Sequence, residues 1–505
     1  MERRHFIRLL GGTMLAAGPL RAAAQASRAP AIDVVDAFGF VADGRTDNYE
    51  AFRRWIAHVN RARGGHYVFP AGTYVVRQHR TRNFSRHPDL NPVIDRCDGL
   101  TISGHGARIR LNGAFHRGAG RGRGQAPSDL AIFMPFAIHR SRNVVIRGFE
   151  IDGGVRDMSR DDSVNEAYAS LIALHGCTNA RLEDLDLHHC QTDGLYLTSS
   201  ELGGRPGIAC RDIVVRRVKS YNNARGGLGV IQVYGLLVED SAFDGNGEGL
   251  GRYKAHAPRF GVDIEPDYKR RQDVDILTGN IEFRRCRFMD NTSALLAAYR
   301  DRYQGYLRLI DCRSSNRTGG PYHMILSWDG ALVEGGAHDA GAGAVYLSWQ
   351  GQTGGNLTVR NAEFRTAGLY GLMHTAAGNA VALEGVKVIG AHRSPGSHGS
   401  VLLMQADPGG GRRNRMRGCD IFVPAARKSR DHAYDYEVTL HHTVSEGNLF
   451  RTDLPAAGGQ HFCTDYGART TARRDMYRGT APGPNDSFRP GHNSRHDTRQ
   501  PYAKG

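Results

Sequence analysis

Residues 180–187 read ARLEDLDL: apolar residues lead to a charged pair, Glu183-Asp184, and a small or apolar residue follows it. The pattern recurs down the chain as VVIRGFEI at 144, IVVRRVKS at 213, LLVEDSAF at 236, IEFRRCRF at 281 and LRLIDCRS at 307. It continues as ALVEGGAH at 331, LTVRNAEF at 357, VALEGVKV at 381 and NRMRGCDI at 414, with glycine replacing a charge in several copies. Most successive copies lie about 23 to 36 residues apart, a solenoid period. After each copy comes a polar turn such as Asp244-Gly245-Asn246, then a second short strand: GLYLTS, GGLGVIQV, GVDIEP, SALLAAY, YHMILSW, GAVYLSW. Each repeat is therefore strand, turn, strand, loop, with too few residues for a crossover helix. Coils of this kind stack at about 4.8 Å, each strand pairing with its equivalents above and below. The expectation is an all-β, single-stranded right-handed parallel β-helix with an N-terminal capping helix. A β-propeller fits less well, because its blades need four antiparallel strands and a period nearer 40 residues.

Alternation within the repeat makes specific demands. Cys286, Cys312 and Cys419 occupy one repeat position and should stack inward as core thiols. Asn222 and Asn223 read as stacked turn residues. The eight cysteines include no Cys-x-x-Cys pair and no Cys/His cluster at zinc spacing, so no metal ligand set is expected.

The segment 33–76, DVVDAFGFVADGRTDNYEAFRRWIAHVNRARGGHYVFPAGTYVV, supports the same architecture. It contains a strand ending at Phe40, an Asp43-Gly44-x-Thr46-Asp47 turn, a helix, and a strand with Phe69-Pro70-x-Gly72-x-Tyr74. Asp47 or Thr46 can cap a helix that carries Phe52, Trp55, Ile56 and Val59 on one face and plugs the first coil. These elements resemble the start of the rhamnogalacturonase and epimerase-like pectate lyase family. The resemblance, with the repeats, covers roughly residues 33–450 and implies the pectate-lyase-like β-helix rather than a particular reaction. The Asn-Thr-Asp, Asp-Asp, Gly-His-Gly and Arg-Ile-Lys set of polygalacturonases is not reproduced, and Gly104-His105-Gly106 reads as a turn.

The N-terminus, Arg3-Arg4 followed by an apolar run to Leu20 and then Ala24-Gln25-Ala26, has the form of a twin-arginine export signal over residues 1–26. The apolar run is short of the about 20 residues that a membrane span needs. The expectation is periplasmic or secreted protein, with the twin-arginine export machinery as a partner and no membrane span. The β-helix domain is placed at 33–462. Residues 463–505 are poor in apolar groups and read as a basic, disordered tail.

The 505 residues carry a formal charge of +15, and 64 glycines against 3 tryptophans suit short strands and many turns. A basic surface draws polyanions. Export and the dispersal of cations along the solenoid argue against nucleic acid and for an anionic polysaccharide.

On the strand GVDIEP, inward Val262 and Ile264 force Asp263 and Glu265 outward together, about 6.6 Å apart along the strand. That separation lies within the range used by glycosidase carboxylate pairs. The preceding insertion supplies Lys254, His256 and Arg259. Strand alignment sets Tyr196 and Gly229 level with Asp263, with Asp193 and Arg225 just before. Asp263, Glu265 and Asp193 are accordingly the expected catalytic acids, and Arg225, Lys254, His256, Arg259 and Tyr196 the expected substrate holders. His323, Trp328, Tyr346 and Trp349 are candidates for sugar stacking, and His188 and His189 read as surface residues before a turn.

Two chemistries compete. Hydrolysis needs a carboxylic acid to protonate the leaving oxygen and a carboxylate to activate water, which the paired acids favour. Elimination needs a base beside a uronate carboxylate neutralised by Arg, Lys or a cation. The primary expectation is hydrolysis of an acidic polysaccharide, with lyase action as the alternative. No cofactor is expected, and a bound cation such as calcium stays open. A non-catalytic glycan-binding β-helix is the reading from another class.

Overall fold

The computed structural model describes residues 29–77, 92–112, 133–157, 159–160, 170–202, 205–255, 257–266, 278–297, 303–316, 322–348, 355–367, 371–375, 377–390, 401–404, 407–409, 411–423, 438–452, 464–466 and 469–478. The twin-arginine segment, His256, Trp349 and the chain beyond 478 lie outside the described residues.

Parallel pairing dominates: one sheet of 26 strands and one of 13 wind together down the molecule. In the larger sheet, early coils use single long strands, such as Arg142–Asp152, Thr178–His188 and Cys210–Tyr221. Later coils break the same path in two, as in Thr278–Arg284 and Arg287–Asn291. A sharp corner divides this sheet into a first and a second face, and the 13-stranded sheet forms the third. All six predicted second strands belong to the third face, with Tyr196, Gly229 and Asp263 in register as expected.

The charged-or-glycine pair of the repeat is the corner itself. Its second residue has positive φ in twelve coils: Gly148, Asp184, Arg217, Asp240, Arg285, Asp311, Gly335, Asn361, Gly385, Gly418, Gly447 and Arg474. Glycine, Asn and Asp tolerate that left-handed region best, which explains their recurrence there. At two of the three arginines found in it, the neighbouring coil supplies a partner. Arg217 binds Asp184 at 2.6 and 2.9 Å, and Arg285 binds Asp240 at 2.7 and 3.0 Å. The first residue of the pair stacks outward with alternating charge, Glu183 on Arg216 on Glu239 on Arg284. One eight-residue motif thus encodes the bend and an ion-pair ladder along it.

The next residue turns back into the core. Cys286, Cys312 and Cys419 occupy this position at 2%, 1% and 1% exposure, as the alternation requires. At the following turn Asn223, Asn246 and Asn291 stack. Each of the last two accepts, through its Oδ1, the backbone N–H of the asparagine one coil away, at 3.0 and 2.8 Å.

The N-terminal cap forms as expected, with local corrections. Helix α2, Tyr49–Ala62, buries Phe52, Trp55, Ile56 and Val59 over the first coils, where Phe40 and Phe69 meet it largely edge to face and Tyr74 packs behind them. Asp47 accepts the Tyr49 N–H at 3.1 Å, while the Thr46 hydroxyl is spent on Asp43. The strand expected to end at Phe40 stops at Asp33. There Asp33 caps a short helix, α1, Val34–Phe38, which Gly39 ends at φ 68°. The expected turn is kept inside the strand Asp43–Asp47: Asp43 Oδ1 accepts the N–H groups of Arg45 and Thr46, both at 2.8 Å, and the pairing register shifts between the strand's two ends. Gly104-His105-Gly106 lies inside the long strand Asp98–Asn112, at the irregular stretch between Ser103 and Ala107 where that coil rounds the corner.

At the other end the expected domain boundary at 462 falls one coil short. Strands Thr464–Tyr466, Thr471–Arg473 and Met476–Arg478 pair in parallel onto the coil before them, so ordered β-helix reaches Arg478. No helix among the described residues is long and apolar enough to cross a membrane.

Candidate active site

The residues singled out on the third face converge only in part. Arg225 lies over Asp193, with Nε donating to Oδ1 at 3.0 Å and an Nη on Oδ2, and its guanidinium stands 5.9 Å from the Tyr196 ring centroid. Burial alone would lower the Arg225 pKa. The Asp193 carboxylate, helped by Tyr196 and Asp263, outweighs it and raises the pKa instead. Gly229 makes the close approach possible: a Cβ there would come within 2.8 Å of the Tyr196 ring and 3.0 Å of Asp193 Oδ2. Asp193, Tyr196, Arg225 and Asp263 therefore share one cluster, as strand alignment implied.

That cluster is closed, however. Asp193 is 2% exposed and Asp263 6%. The 245–260 insertion folds onto the outer side of the third face, with Tyr253 fully buried against Met134, Ala137, Ala173 and Ala224 and Tyr196 at its edge. Glu265 lies past the end of the strand Phe260–Ile264, half-buried, so the expected open Asp263/Glu265 pair is not presented to solvent. Lys254 is exposed on the insertion, and Arg259, at φ 67°, bonds the Gly247 carbonyl at 2.6 Å as a loop brace. Trp328 and His323 are buried at 2% and 0%, whereas Tyr346 is half-buried and packs on Tyr322 with ring centroids 5.7 Å apart.

An open groove lies on the second face instead. It encloses about 410 Å³ and is lined by Asp186, Lys219, Tyr221, Asp244, Arg287 and Asp290, with Asn222 and Gly245 at the turn. Asp186, Lys219, Ala242 and Arg287 occupy one register column over four coils, and His188, Tyr221 and Asp244 the next. Lys219 is exposed and has no ion pair among the described residues. Arg287 donates to Asp244 Oδ2 at 2.8 Å. Tyr221 lies against the His188 ring at 5.1 Å. Burial raises the Tyr221 pKa, and the carboxylates of Asp186, Glu150 and Asp152 raise it further, so its phenol stays protonated. Asp186 Oδ1 is buried without a hydrogen-bond partner.

Reasoning from sequence missed this groove. Its signal was present: the second and fourth residues after each corner pair must face outward, which aligns Asp186 and His188 with Lys219 and Tyr221. His188 and His189, read as surface residues, are 5% and 9% exposed at the head of the groove.

No family model matches the chain. A 232-residue stretch is 24% identical to the SPbeta prophage-derived uncharacterized protein YorA of Bacillus subtilis, covering 44% of this chain and 38% of that protein. The chain thus matches well under half the length of this curated relative. Among solved structures, the A-module of the Azotobacter vinelandii mannuronan C-5 epimerase AlgE4 is 12% identical with a TM-score of 0.46, over 90% of this chain and 100% of that one. The tailspike protein of E. coli bacteriophage HK620, in complex with a pentasaccharide, is 11% identical with a TM-score of 0.48, over 89% and 80%. The catalytic unit of a GH87 alpha-1,3-glucanase from Streptomyces thermodiastaticus is 12% identical with a TM-score of 0.36, over 90% and 69%. The architecture itself stands on the parallel pairing of successive coils: the chain is an all-β parallel β-helix.

Proposed function

We propose that the chain is an exported carbohydrate-active enzyme that binds an acidic polysaccharide in the second-face groove and removes a proton beside a uronate carboxylate. The observation that carries this reading is the contact of Asp186 with the protonated Tyr221 phenol next to the unpaired Lys219. Abstraction next to a carboxylate requires that its negative charge be offset, and Lys219, with Arg287 two coils further on, supplies cations there. Asp186, half-buried in the groove wall, is the carboxylate placed to take the proton, and Tyr221 is a phenol able to give one. In elimination the C–H and glycosidic C–O bonds break, a C=C bond forms, and the leaving oxygen takes a proton from Tyr221. Asp186 then returns its proton to Tyr221. The net charge of +15 fits an anionic substrate, and Arg3-Arg4 with Ala24-Gln25-Ala26 supports export to where such polymers occur.

The hydrolytic reading loses its main support, because Asp263 is buried and Glu265 does not join it on an open surface. Purified protein incubated in deuterated buffer with a panel of acidic and neutral polysaccharides tests the proposal. Unsaturated ends, or deuterium at the carbon beside the carboxylate, are expected. New reducing ends without either would mean hydrolysis, and saturable binding without any product would mean a glycan-binding protein.

A further inference from the structure

We propose that Asp152, His188 and His189 form a binding site for one divalent first-row transition ion of the zinc class. The inference goes beyond the groove reaction and does not depend on it.

The ligand atoms of these three residues lie within 4.8 Å of one another. Consecutive strand residues ordinarily point to opposite faces. Here His189 adopts φ 55°, which swings its ring to the side occupied by His188. The two Nδ1 atoms consequently face each other at 2.7 Å. His188 Nδ1 is 3.8 Å from Asp152 Oδ1 on the coil below.

The surroundings orient each group for ligation. Glu150 Oε1 stands 3.2 Å from His188 Nε2 and accepts its proton, which leaves the Nδ1 lone pair directed at His189. A carboxylate behind a ligating imidazole is the usual outer partner of a metal-bound histidine. Arg108 contacts Asp152 through Oδ2 at 3.3 Å, so Oδ1 is the oxygen turned toward the histidines, where it also accepts the Gly154 N–H at 3.0 Å.

His189 supplies an independent indication. Its ring is buried, yet Nε2 has no hydrogen-bond partner. Without an ion, the short Nδ1–Nδ1 contact requires that His189 carry its proton on Nδ1, leaving a bare Nε2 lone pair in a buried setting. An ion taken up by both Nδ1 lone pairs would replace that contact and draw the two rings slightly apart, with the His189 proton moved to Nε2.

Two imidazoles and one carboxylate suit zinc and its neighbours, whereas calcium and magnesium require oxygen-rich shells. Three protein ligands also leave a fourth position for water or a substrate oxygen.

The test uses untagged, chelator-treated full-length protein titrated with Zn²⁺ by calorimetry and with Co²⁺ by visible absorption. One ion per chain is expected, with a Co²⁺ spectrum showing nitrogen ligation. His188→Gln and His189→Gln should abolish stoichiometric uptake, and Glu150→Gln should weaken it about 10- to 100-fold. Circular dichroism of each variant checks folding, and the wild-type spectrum stands without any variant. Absence of stoichiometric uptake by the wild type, or uptake undiminished in both folded histidine variants, would overturn the site. Polysaccharide turnover takes no part in these readouts, so loss of the groove proposal leaves them unaffected.

Discussion

Arg225 grips both carboxylate oxygens of Asp193 across one coil spacing, in a pocket where the two side chains are 11% and 3% exposed. Removing one member of such a pair strands the other charge in a low-dielectric site, at a cost of about 3–5 kcal/mol. Asp193→Asn should therefore lower the melting temperature sharply, and Asp193→Asn combined with Arg225→Met should recover much of the loss. An Asp193→Asn protein with unchanged melting temperature but lost turnover would instead return Asp193 to the catalytic role that its position before a strand suggested.

Cys286 and Cys312 sit on adjacent coils with their thiols in the core, and burial pushes the Cys286 pKa well up. A thiolate is the reactive species, so both should label slowly with a thiol reagent until the protein unfolds. Cys286→Asp would bury an unpaired charge and should prevent folding at ordinary temperature. Rapid labelling of both thiols in native protein would contradict the strand register.

The register, the stacked thiols and the capping helix were legible because each depends on local alternation or on a motif within one repeat. Asp186, Lys219 and Tyr221 obeyed the same alternation, but the third face was weighed instead. The insertion with Lys254 and Arg259 drew attention to Asp263, and nothing in a one-dimensional reading shows that Tyr253 folds down over that side. His188 and His189 were illegible for another reason: strand parity sends neighbours to opposite faces, and only the left-handed φ of His189 cancels it. Charge pairs such as Glu183-Asp184 and Arg216-Arg217 marked the repeat, and only the pairing between coils makes them the corner ladder.

Acid should unfold this protein earlier than its carboxylates alone would require. His323 and His338, joined through the Ser314 hydroxyl at 2.7 and 2.9 Å, have pKa values lowered by burial to about 3 and about 4, and burial lowers His374 to about 4. In the unfolded chain a histidine titrates near 6.5. Between that value and about 4 the unfolded state binds more protons, so stability is full above pH 6.5 and falls as pH drops through this window. Each group contributes a slope on the order of 1 kcal/mol per pH unit. Melting temperature measured from pH 7 to 4.5 should decline steeply, and His338→Gln should flatten the decline. A flat profile down to pH 4.5 would mean that these rings do not remain neutral in the core.

The asparagine stack should be as sensitive as an apolar core site. Asn246 Oδ1 accepts from the Asn223 backbone and side chain, both at 3.0 Å, and its Nδ2 donates to the Ser220 carbonyl and Asn291 Oδ1, both at 3.1 Å. Asn246→Ala orphans groups on both neighbouring coils, at roughly 1–3 kcal/mol for each buried group left unpaired. Asn222→Ala, at the half-buried neighbouring position, should cost far less. Equal effects from the two variants in a denaturant titration would show that stacking is not what holds this turn.

The two faces can be separated by amide substitutions that preserve size. Asp186→Asn removes the group proposed to take the proton, and one acid/base group is worth about 100- to 10,000-fold in rate. Its melting temperature should change little, because Asp186 is half-buried and pairs with no cation among the described residues. Tyr221→Phe should cost turnover in the same way, removing the proton donor while keeping the ring against His188. Lys219→Ala should act first on substrate affinity, and more so at low salt, because an exposed cation is screened by ions. Asp263→Asn provides the contrast: on the closed third face it should alter stability before turnover. If Asp263→Asn abolishes activity at unchanged melting temperature while Asp186→Asn remains fully active, then the chemistry belongs to the third face. The insertion bearing Tyr253 would in that case have to lift for substrate to enter.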